Sequence, residues 1–148
     1  MKKILITGGT GFLGKNLAYF LRSKKNKIFF TGRSIERCRN TNLDLKLNYY
    51  PCEISNLSSV IDCISIIKPD IIIHSAAFAP RELLSGDYVE NITREGFQIA
   101  HDISSYSFAA LAKEFNDIIN TNGSLITLSY LGSERVIKNY NVMGLAKA

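Results

Sequence analysis

Three glycines at a fixed interval stand near the start of the chain. In Thr7-Gly8-Gly9-Thr10-Gly11-Phe12-Leu13-Gly14, Gly8, Gly11 and Gly14 recur every third residue, directly after an apolar, β-branched run. A tight turn needs a residue that tolerates positive φ, and close approach to an anion or to a neighbouring strand needs a residue without a Cβ. Gly8 then permits the turn, Gly11 lets the backbone approach a pyrophosphate, and Gly14 lets the next helix close on the strand. The backbone N–H groups around Thr10, Phe12 and Leu13 would face the phosphates with the positive end of that helix. A strand before the glycines and an amphipathic helix after them is the context that turns the pattern into a dinucleotide site.

A second candidate for cofactor contact follows the next strand. Dinucleotide folds often place an acid there for the ribose hydroxyls, but this chain reads Thr31-Gly32-Arg33-Ser34. The Arg33 guanidinium suits a 2′-phosphate, which points to NADPH. An exposed arginine on a basic loop is equally open. Near the end of the chain, Tyr140 and Lys147 are seven residues apart. In a helix that is about two turns, which puts both on one side. Tyr130 stands ten residues before Tyr140. Neither tyrosine has a lysine four residues on, where Tyr140 meets Gly144 and Tyr130 meets Glu134. His74 and His101 lack a partner motif for chemistry.

The elements that must carry these residues follow from periodicity. Residues 2–7, 27–31, 48–54, 70–74 and 124–129 read as strands, the third weakened by Pro51 and the fourth almost wholly apolar. Residues 11–22 read as a helix with Leu13, Leu17, Phe20 and Leu21 on its buried stripe, and 58–67 as a second, stopped by Pro69. Residues 81–91 read as a polar loop. A long helix is expected over 94–120, capped by Asn91 or Thr93. Its two apolar stripes (Ile99, Ile103, Tyr106, Ala110 and Phe108, Leu111, Phe115, Ile118) predict burial on two sides, against the sheet and against another helix of this or a partner chain. A last helix starts near Asn141. Strands alternating with helices give an α/β fold: a Rossmann-type, doubly wound parallel sheet of about five strands, in a single NAD(P)-binding domain over 1–148. Ligands of such sheets bind beyond the carboxyl ends of the strands.

Composition sets the outer bounds. The 148 residues suit one domain, and 46% hydrophobic with 21% charged residues is the balance of an ordinary globular chain. No apolar run is long enough to span a bilayer. The apolar opening gives way to glycines too early for a signal peptide, so a cytoplasmic protein is expected. Cys38, Cys52 and Cys63 have neither disulfide nor zinc spacing and read as reduced thiols. The net charge of +5 is uneven: residues 1–46 hold eleven Lys and Arg against Glu36 and Asp44, a net +9, and the rest carries −4. A basic field around a phosphate site accounts for this, as does a solvated basic helix end around Lys24–Lys27. Nucleic-acid binding is disfavoured, because no recognition motif or stacking-aromatic pattern accompanies the charge.

The motifs also carry family resemblances. The spacing T-G-x-x-G-x-x-G is that of the short-chain dehydrogenase/reductase superfamily. TGGTGFLG and Ile72-Ile73-His74-Ser75-Ala76-Ala77 resemble its extended branch, the NAD(P)-dependent epimerases and dehydratases of nucleotide sugars. That resemblance covers residues 1 to about 77. It implies cofactor contacts at Ser75, Ala76 and Ala77, and near the adenine at Glu53 and Ile54. From there on, Ala77-Phe78-Ala79-Pro80-Arg81-Glu82-Leu83, Thr93-Arg94-Glu95-Gly96-Phe97, Leu128-Ser129-Tyr130-Leu131-Gly132 and Asn139-Tyr140-Asn141-Val142-Met143-Gly144-Leu145-Ala146-Lys147-Ala148 resemble the NADH-dependent enoyl-acyl-carrier-protein reductases. Tyr-x₆-Lys is the spacing of that family.

This second resemblance implies NADH as cofactor and an enoyl thioester of acyl-carrier-protein or CoA as substrate in fatty-acid synthesis. Tyr140 would bond the substrate carbonyl, Lys147 would hold the nicotinamide ribose, and Tyr130 would be a second active-site tyrosine. Together the two resemblances read as a hybrid joined near residues 74–79, with a sheet incomplete at its carboxyl-terminal side. They also imply association of copies through the 94–120 helix. A non-catalytic nucleotide-binding fragment and an NAD-dependent nucleotide-sugar epimerase/dehydratase stay open as alternatives.

Overall fold

The computed structural model of the chain describes residues 1–22 and 25–148. The basic helix end expected around Lys24–Lys27 includes Lys24, which lies outside the described residues. Five strands, β1 (Lys3–Thr7), β2 (Lys27–Gly32), β3 (Asn48–Pro51), β4 (Ile71–His74) and β5 (Ser124–Thr127), form one sheet in the order β3-β2-β1-β4-β5. Every pair is parallel, with Ile4 beside Ile28 and Ile71, and Ile72 beside Leu125. The order reverses on the two sides of β1, so the sheet is doubly wound as the alternation of strands and helices requires. The expected Rossmann-type fold is therefore the fold observed.

The chain packs as two compact units: residues 1–76 with 110–128, and residues 77–109 with 129–148. The first holds the sheet and the helices α1 (Phe12–Leu21), α2 (Ile35–Leu45) and α3 (Leu57–Ile67). Alternation along the strands separates two cores. Ile4, Ile6, Ile28, Phe30 and Ile73 are buried with Ala18, Cys38 and Leu45 of the helices. Leu5 and Ile72 point the other way and are fully buried, as Val60, Ile64 and Ile67 of α3 nearly are. At the amino-terminal edge of β4, Asp70 ties three strands together. Its carboxylate accepts hydrogen bonds from Lys3 N at 2.8 Å and Asn120 Nδ2 at 2.7 Å, and its carbonyl accepts from Ser124 N at 3.2 Å.

The second unit holds α4 (Tyr88–Asn91), α5 (Arg94–His101), a π-helical turn over Asp102–Tyr106 and α7 (Val142–Lys147), with short 3₁₀ turns at Arg81–Leu84 and Leu131–Ser133. Its core is Ala79, Leu83, Ala100, Val142, Met143 and Ala146. The remaining helix, α6 (Ser107–Asn116), continues from the π turn and contributes residues to both units.

Four local expectations need correction. In α1 the buried positions are Gly14 and Ala18, flanked by Leu17 and Leu21, whereas Leu13 and Phe20 are exposed. Small residues let the helix axis approach the sheet, and that preference overrides the larger side chains. The third strand stops at Pro51, which is tolerated because β3 is at the edge, and the Cys52 N–H after it still donates to Gly32 O at 3.0 Å. Residues 81–91 are not a plain loop: Asp87 accepts hydrogen bonds from Val89 N and Glu90 N and starts α4. The long helix is capped by Thr93, whose Oγ1 accepts from Gly96 N at 3.0 Å, but it is broken in register by the π turn and ends at Asn116 rather than 120. Among the described residues no helix is long and apolar enough to cross a membrane, and no three His, Cys, Asp or Glu side chains are grouped to hold a metal. The three cysteines are free and buried.

Candidate functional site

The glycine turn lies in the first unit, at the carboxyl end of β1. Gly8 has φ +67°, a conformation that side chains with a Cβ rarely adopt. A Cβ there would also lie 3.0 Å from Ala76 N and from the Ser75 carbonyl. Gly11 N donates to Gly8 O at 3.0 Å and closes the turn. At Gly14 a Cβ would fall 2.5 Å from Gly8 O and 2.7 Å from Ser75 Oγ, so the helix is as close to the turn as backbone allows. Ser75 is itself fixed, its hydroxyl donating to Thr7 O at 2.6 Å. Ser75 and Ala76, expected at the cofactor from sequence, are thus brought against the turn by the pairing of β1 with β4.

Gly11 differs from its neighbours. A Cβ on it would meet only Gly8 O, at 3.2 Å, and its φ of −82° is open to any residue. Its missing side chain leaves space, and that space lies over the start of α1. The first turn of α1 has no side-chain cap and no acidic residue. Helices α2, α3 and α5 by contrast are capped by Ser34, Asn56 and Thr93. The leading N–H groups of α1, from Phe12, Leu13 and Gly14, therefore have neither an intrahelical nor a capping acceptor. The buried Thr7 hydroxyl just before the turn also has no hydrogen-bond partner among the described residues. Uncapped amides beside an open glycine suit an anionic diphosphate.

Three further sequence candidates stand at neighbouring strand ends. Arg33 is the first residue after β2 and is exposed. Glu53 and Ile54 follow β3. The Glu53 carboxylate accepts from Ser55 N and Ser55 Oγ, at 3.4 and 3.0 Å, and Ile54 is buried. His74 is fully buried at the end of β4, with Nδ1 3.3 Å from Thr127 Oγ1, and it supports that strand end.

The tyrosines and the lysine lie in the second unit, which begins at Ala77. The Tyr140 ring meets the Tyr130 ring edge-on, with centroids 4.8 Å apart and planes at 63°. Burial, and then the nearby Tyr130, push the Tyr140 phenol above the ordinary tyrosine range. Burial holds the Lys147 ammonium below the ordinary lysine range. Ser129 Oγ donates to Lys147 O at 3.2 Å, linking the residue before Tyr130 to α7.

The sequence expectation that Tyr140 and Lys147 share one helix is corrected. Helix α7 begins at Val142, and Tyr140 precedes it between Asn139 and Asn141, both at positive φ. Asparagine tolerates that conformation better than other residues with a Cβ. The chain turns sharply at both, and the Tyr140 carbonyl accepts from Met143 N to start the helix.

One residue with a clear structural part was not legible in the sequence. Ser104, buried in the π turn, accepts from Phe78 N at 2.9 Å and donates to Phe78 O at 3.0 Å. It fixes the segment just after Ala77 by both backbone groups of one residue. Nothing in the motif Asp102-Ile103-Ser104-Ser105-Tyr106 signals which serine turns inward.

Comparison with known proteins places this geometry in a family. The family model described as enoyl-(acyl carrier protein) reductase matches residues 13–148. The Escherichia coli enoyl-[acyl-carrier-protein] reductase [NADH] FabI is 42% identical over 162 residues, covering 99% of this chain and 60% of that protein. Its counterpart from Buchnera aphidicola of Acyrthosiphon pisum is 50% identical over 102 residues, or 66% of this chain and 39% of its own length. Among solved structures, the Anaplasma phagocytophilum enoyl reductase in complex with NAD superposes with a TM-score of 0.90 at 29% identity, covering 99% of this chain and 60% of that one. The Bacillus cereus enoyl reductase with NADP+ and an indole naphthyridinone gives 0.88 at 32%, covering 99% and 62%.

The chain spans about 60% of the length of the Escherichia coli relative. The matches that cover 99% of the chain take in the glycine turn as well as the tyrosines, and they do not support an epimerase-like first half joined to a reductase near residues 74–79. TGGTGFLG suggests another branch because phosphate binding imposes similar glycine spacing on all such turns, whatever the ancestry of the rest. The change at Ala76–Ala77 is one of packing unit, not of family. The chain belongs to the enoyl-(acyl carrier protein) reductase family.

Proposed function

We propose that this chain binds NAD(P)H at its glycine turn and serves the reduction of a trans-2-enoyl thioester carried on acyl-carrier-protein or CoA. The observation that carries the reading is the Tyr130–Tyr140 pair with Lys147 seven residues on, in a chain of this family. The uncapped start of α1 would take the diphosphate through the amides of Phe12, Leu13 and Gly14. Thr10, Gly8 and Gly11 would frame it, and Ser75, Ala76 and Ala77 would extend the contact past β4. Arg33, Glu53 and Ile54 stand at the strand ends expected to meet the adenosine half. The bound cofactor would supply a hydride to the double bond.

The residues of the second unit would handle the charge that then develops on the thioester oxygen. Reduction of a conjugated double bond turns the carbonyl into an enolate, and a hydrogen-bond donor placed on that oxygen lowers the barrier. Tyr140 is suited to this because its raised pKa keeps the phenol protonated at neutral pH, so it donates rather than accepts. Tyr130, packed on its ring edge, would hold its orientation. Lys147 would hold the nicotinamide ribose and favour proton donation by Tyr140. Exposed Phe97 and Tyr106 on the helical stretch after Thr93 support association of copies through that stretch.

The test is oxidation of NADH and NADPH followed at 340 nm with a crotonyl thioester. Tyr140→Phe should lower kcat by roughly 10²–10³, the scale of removing one oxyanion donor, with little change in cofactor affinity. Turnover unchanged in both Tyr140→Phe and Lys147→Ala would remove the proposed roles. Tight cofactor binding with no turnover would reduce the chain to a nucleotide-binding module.

A further inference from the structure

The geometry points to Gly132, two residues after Tyr130, as the positioning residue of Tyr140: its bare α-carbon is the seat that fixes the tyrosine ring and so aims the phenol oxygen. The inference rests on the reduction reading above and adds to it what holds the proton donor in place.

All the parts lie in the second unit. A Cβ on Gly132 would run into Cδ1 of Tyr140, with Cε1 at 2.8 Å and Cγ at 3.2 Å. One side of the ring therefore lies directly on the glycine. Any residue with a Cβ would displace it, since carbons pack at about 3.5–4.0 Å and the ring would have to move by about 1 Å. The need for glycine is steric alone, because φ at Gly132 is not positive. Tyr130 meets the same ring edge-on, with centroids 4.8 Å apart. One short turn thus supplies both contacts, an aromatic ring at 130 and an empty place at 132.

The backbone on either side is held, so the ring rather than the chain must give. Gly132 lies in the 3₁₀ turn Leu131–Ser133, closed by Ser133 N donating to Tyr130 O at 2.9 Å and Glu134 N donating to Leu131 O at 3.1 Å. Its carbonyl is so near α7 that a Cβ on Gly144 would lie 3.0 Å from it. On the other side, Tyr140 N donates to Ile137 O at 3.0 Å and Tyr140 O accepts from Met143 N at 2.9 Å. Asn141 Nδ2 donates to Gly86 O at 3.4 Å. What stays adjustable is rotation about the side-chain torsions of Tyr140. With Tyr88, Ile137 and Leu145, Tyr140 borders a cavity of about 390 Å³, so a displaced ring has room to turn.

Aim decides what the phenol can do. A hydrogen bond weakens steeply once its angle falls below about 120°. A donor for a developing enolate must already point at the place the oxygen will occupy. Gly132 acts only through that direction, because it has no side chain to offer a substrate and alanine there brings no charge or polar group.

The experiment combines fluorine NMR of the full chain labelled with fluorotyrosine and kinetics with a crotonyl thioester. The Tyr140 resonance is assigned by its loss in Tyr140→Phe. Gly132→Ala should shift or broaden it. Gly96→Ala, whose Cβ would run into Leu83 in the same unit, should leave it in place. A Tyr140 resonance unmoved by Gly132→Ala overturns the inference whatever the activity. Gly132→Ala should also lower kcat by roughly 10²-fold, the scale of an ångström's misplacement, with dinucleotide affinity within about twofold of the parent. In a Tyr140→Phe background the same change should alter kcat by no more than about twofold, because it acts through the phenol. An equal loss in both backgrounds means general damage and overturns the inference, as does an unchanged kcat in the single variant. If Gly132→Ala alone does not fold, Gly132→Ala with Tyr140→Ala should melt as Tyr140→Ala does, since the obstructing ring is gone. Failure of that pair to fold overturns the seat. A parent chain that does not turn over the thioester, while its Tyr140 resonance responds to Gly132→Ala, removes the reduction reading and leaves the seating of the ring standing.

Discussion

Alanine at Gly11 and alanine at Gly14 should separate two reasons for glycine in the same turn. At Gly14 the new Cβ would meet Gly8 O at 2.5 Å, Ser75 Oγ at 2.7 Å and Gly9 Cα at 2.8 Å, all closer than packed carbon tolerates, and two of these atoms are backbone. Relieving such overlap costs about 1–3 kcal/mol. Alanine also gains about 1 kcal/mol over glycine inside a helix. The net loss for Gly14→Ala is then roughly 0–2 kcal/mol, which for a chain of this size lowers Tm by at most about 8 °C. The shift of α1 should also weaken dinucleotide binding, because the phosphate amides move with the helix.

At Gly11 the Cβ meets only Gly8 O at 3.2 Å, and the backbone conformation is ordinary. Gly11→Ala should leave Tm within about 4 °C, since exchanging glycine for alanine at a helix cap is a change of a few tenths to about 1 kcal/mol. It should nevertheless cost roughly tenfold or more in affinity for the dinucleotide, because the methyl group fills the space over the amides. Thermal melts by circular dichroism and titration with NADH and NADPH give both numbers for each variant. The reasoning is refuted if Gly11→Ala binds as the parent does, or if Gly14→Ala is more stable than the parent by the full propensity gain.

Other positions give independent checks. Lys3 N first, and Asn120 next, hold the Asp70 carboxyl below the usual aspartate range, so its contribution to stability is present above the unfolded pKa and lost as pH falls through the folded one. Asp70→Asn should flatten the acid limb of a Tm-against-pH curve below about pH 4 and change little at pH 7 and above beyond a constant offset. Ser104→Ala removes both of its hydrogen bonds to the Phe78 backbone and should cost about 1–3 kcal/mol in urea unfolding, whereas Ser105→Ala, at an exposed neighbour, should be silent. Thr93→Ala removes the cap of α5 and should cost about 1 kcal/mol, with most of it restored by Thr93→Ser.

Local chemistry in the sequence determined the larger part of this fold. A parallel sheet covered on both faces demands apolar strands such as Ile71-Ile72-Ile73, and the glycine interval after β1 has few other uses. The five parallel strands of a doubly wound sheet and the glycine turn after β1 were therefore legible. Tyr140, Tyr130 and Lys147 were singled out only by family motif, because Tyr-x₆-Lys has no meaning in periodicity alone. Tertiary structure decided what depends on distant partners. It set which face of α1 turns inward, since close approach through Gly14 and Ala18 outweighs the hydrophobicity of Leu13 and Phe20. It placed Tyr140 before α7 rather than on it, because left-handed Asn139 and Asn141 carry no signal distinct from ordinary asparagine. It gave Ser104 its two bonds, which need a π turn and a strand-end segment twenty-six residues away in the chain. Spacing along a sequence encodes neighbours on one element, and contacts across elements are fixed only when the packed core selects them.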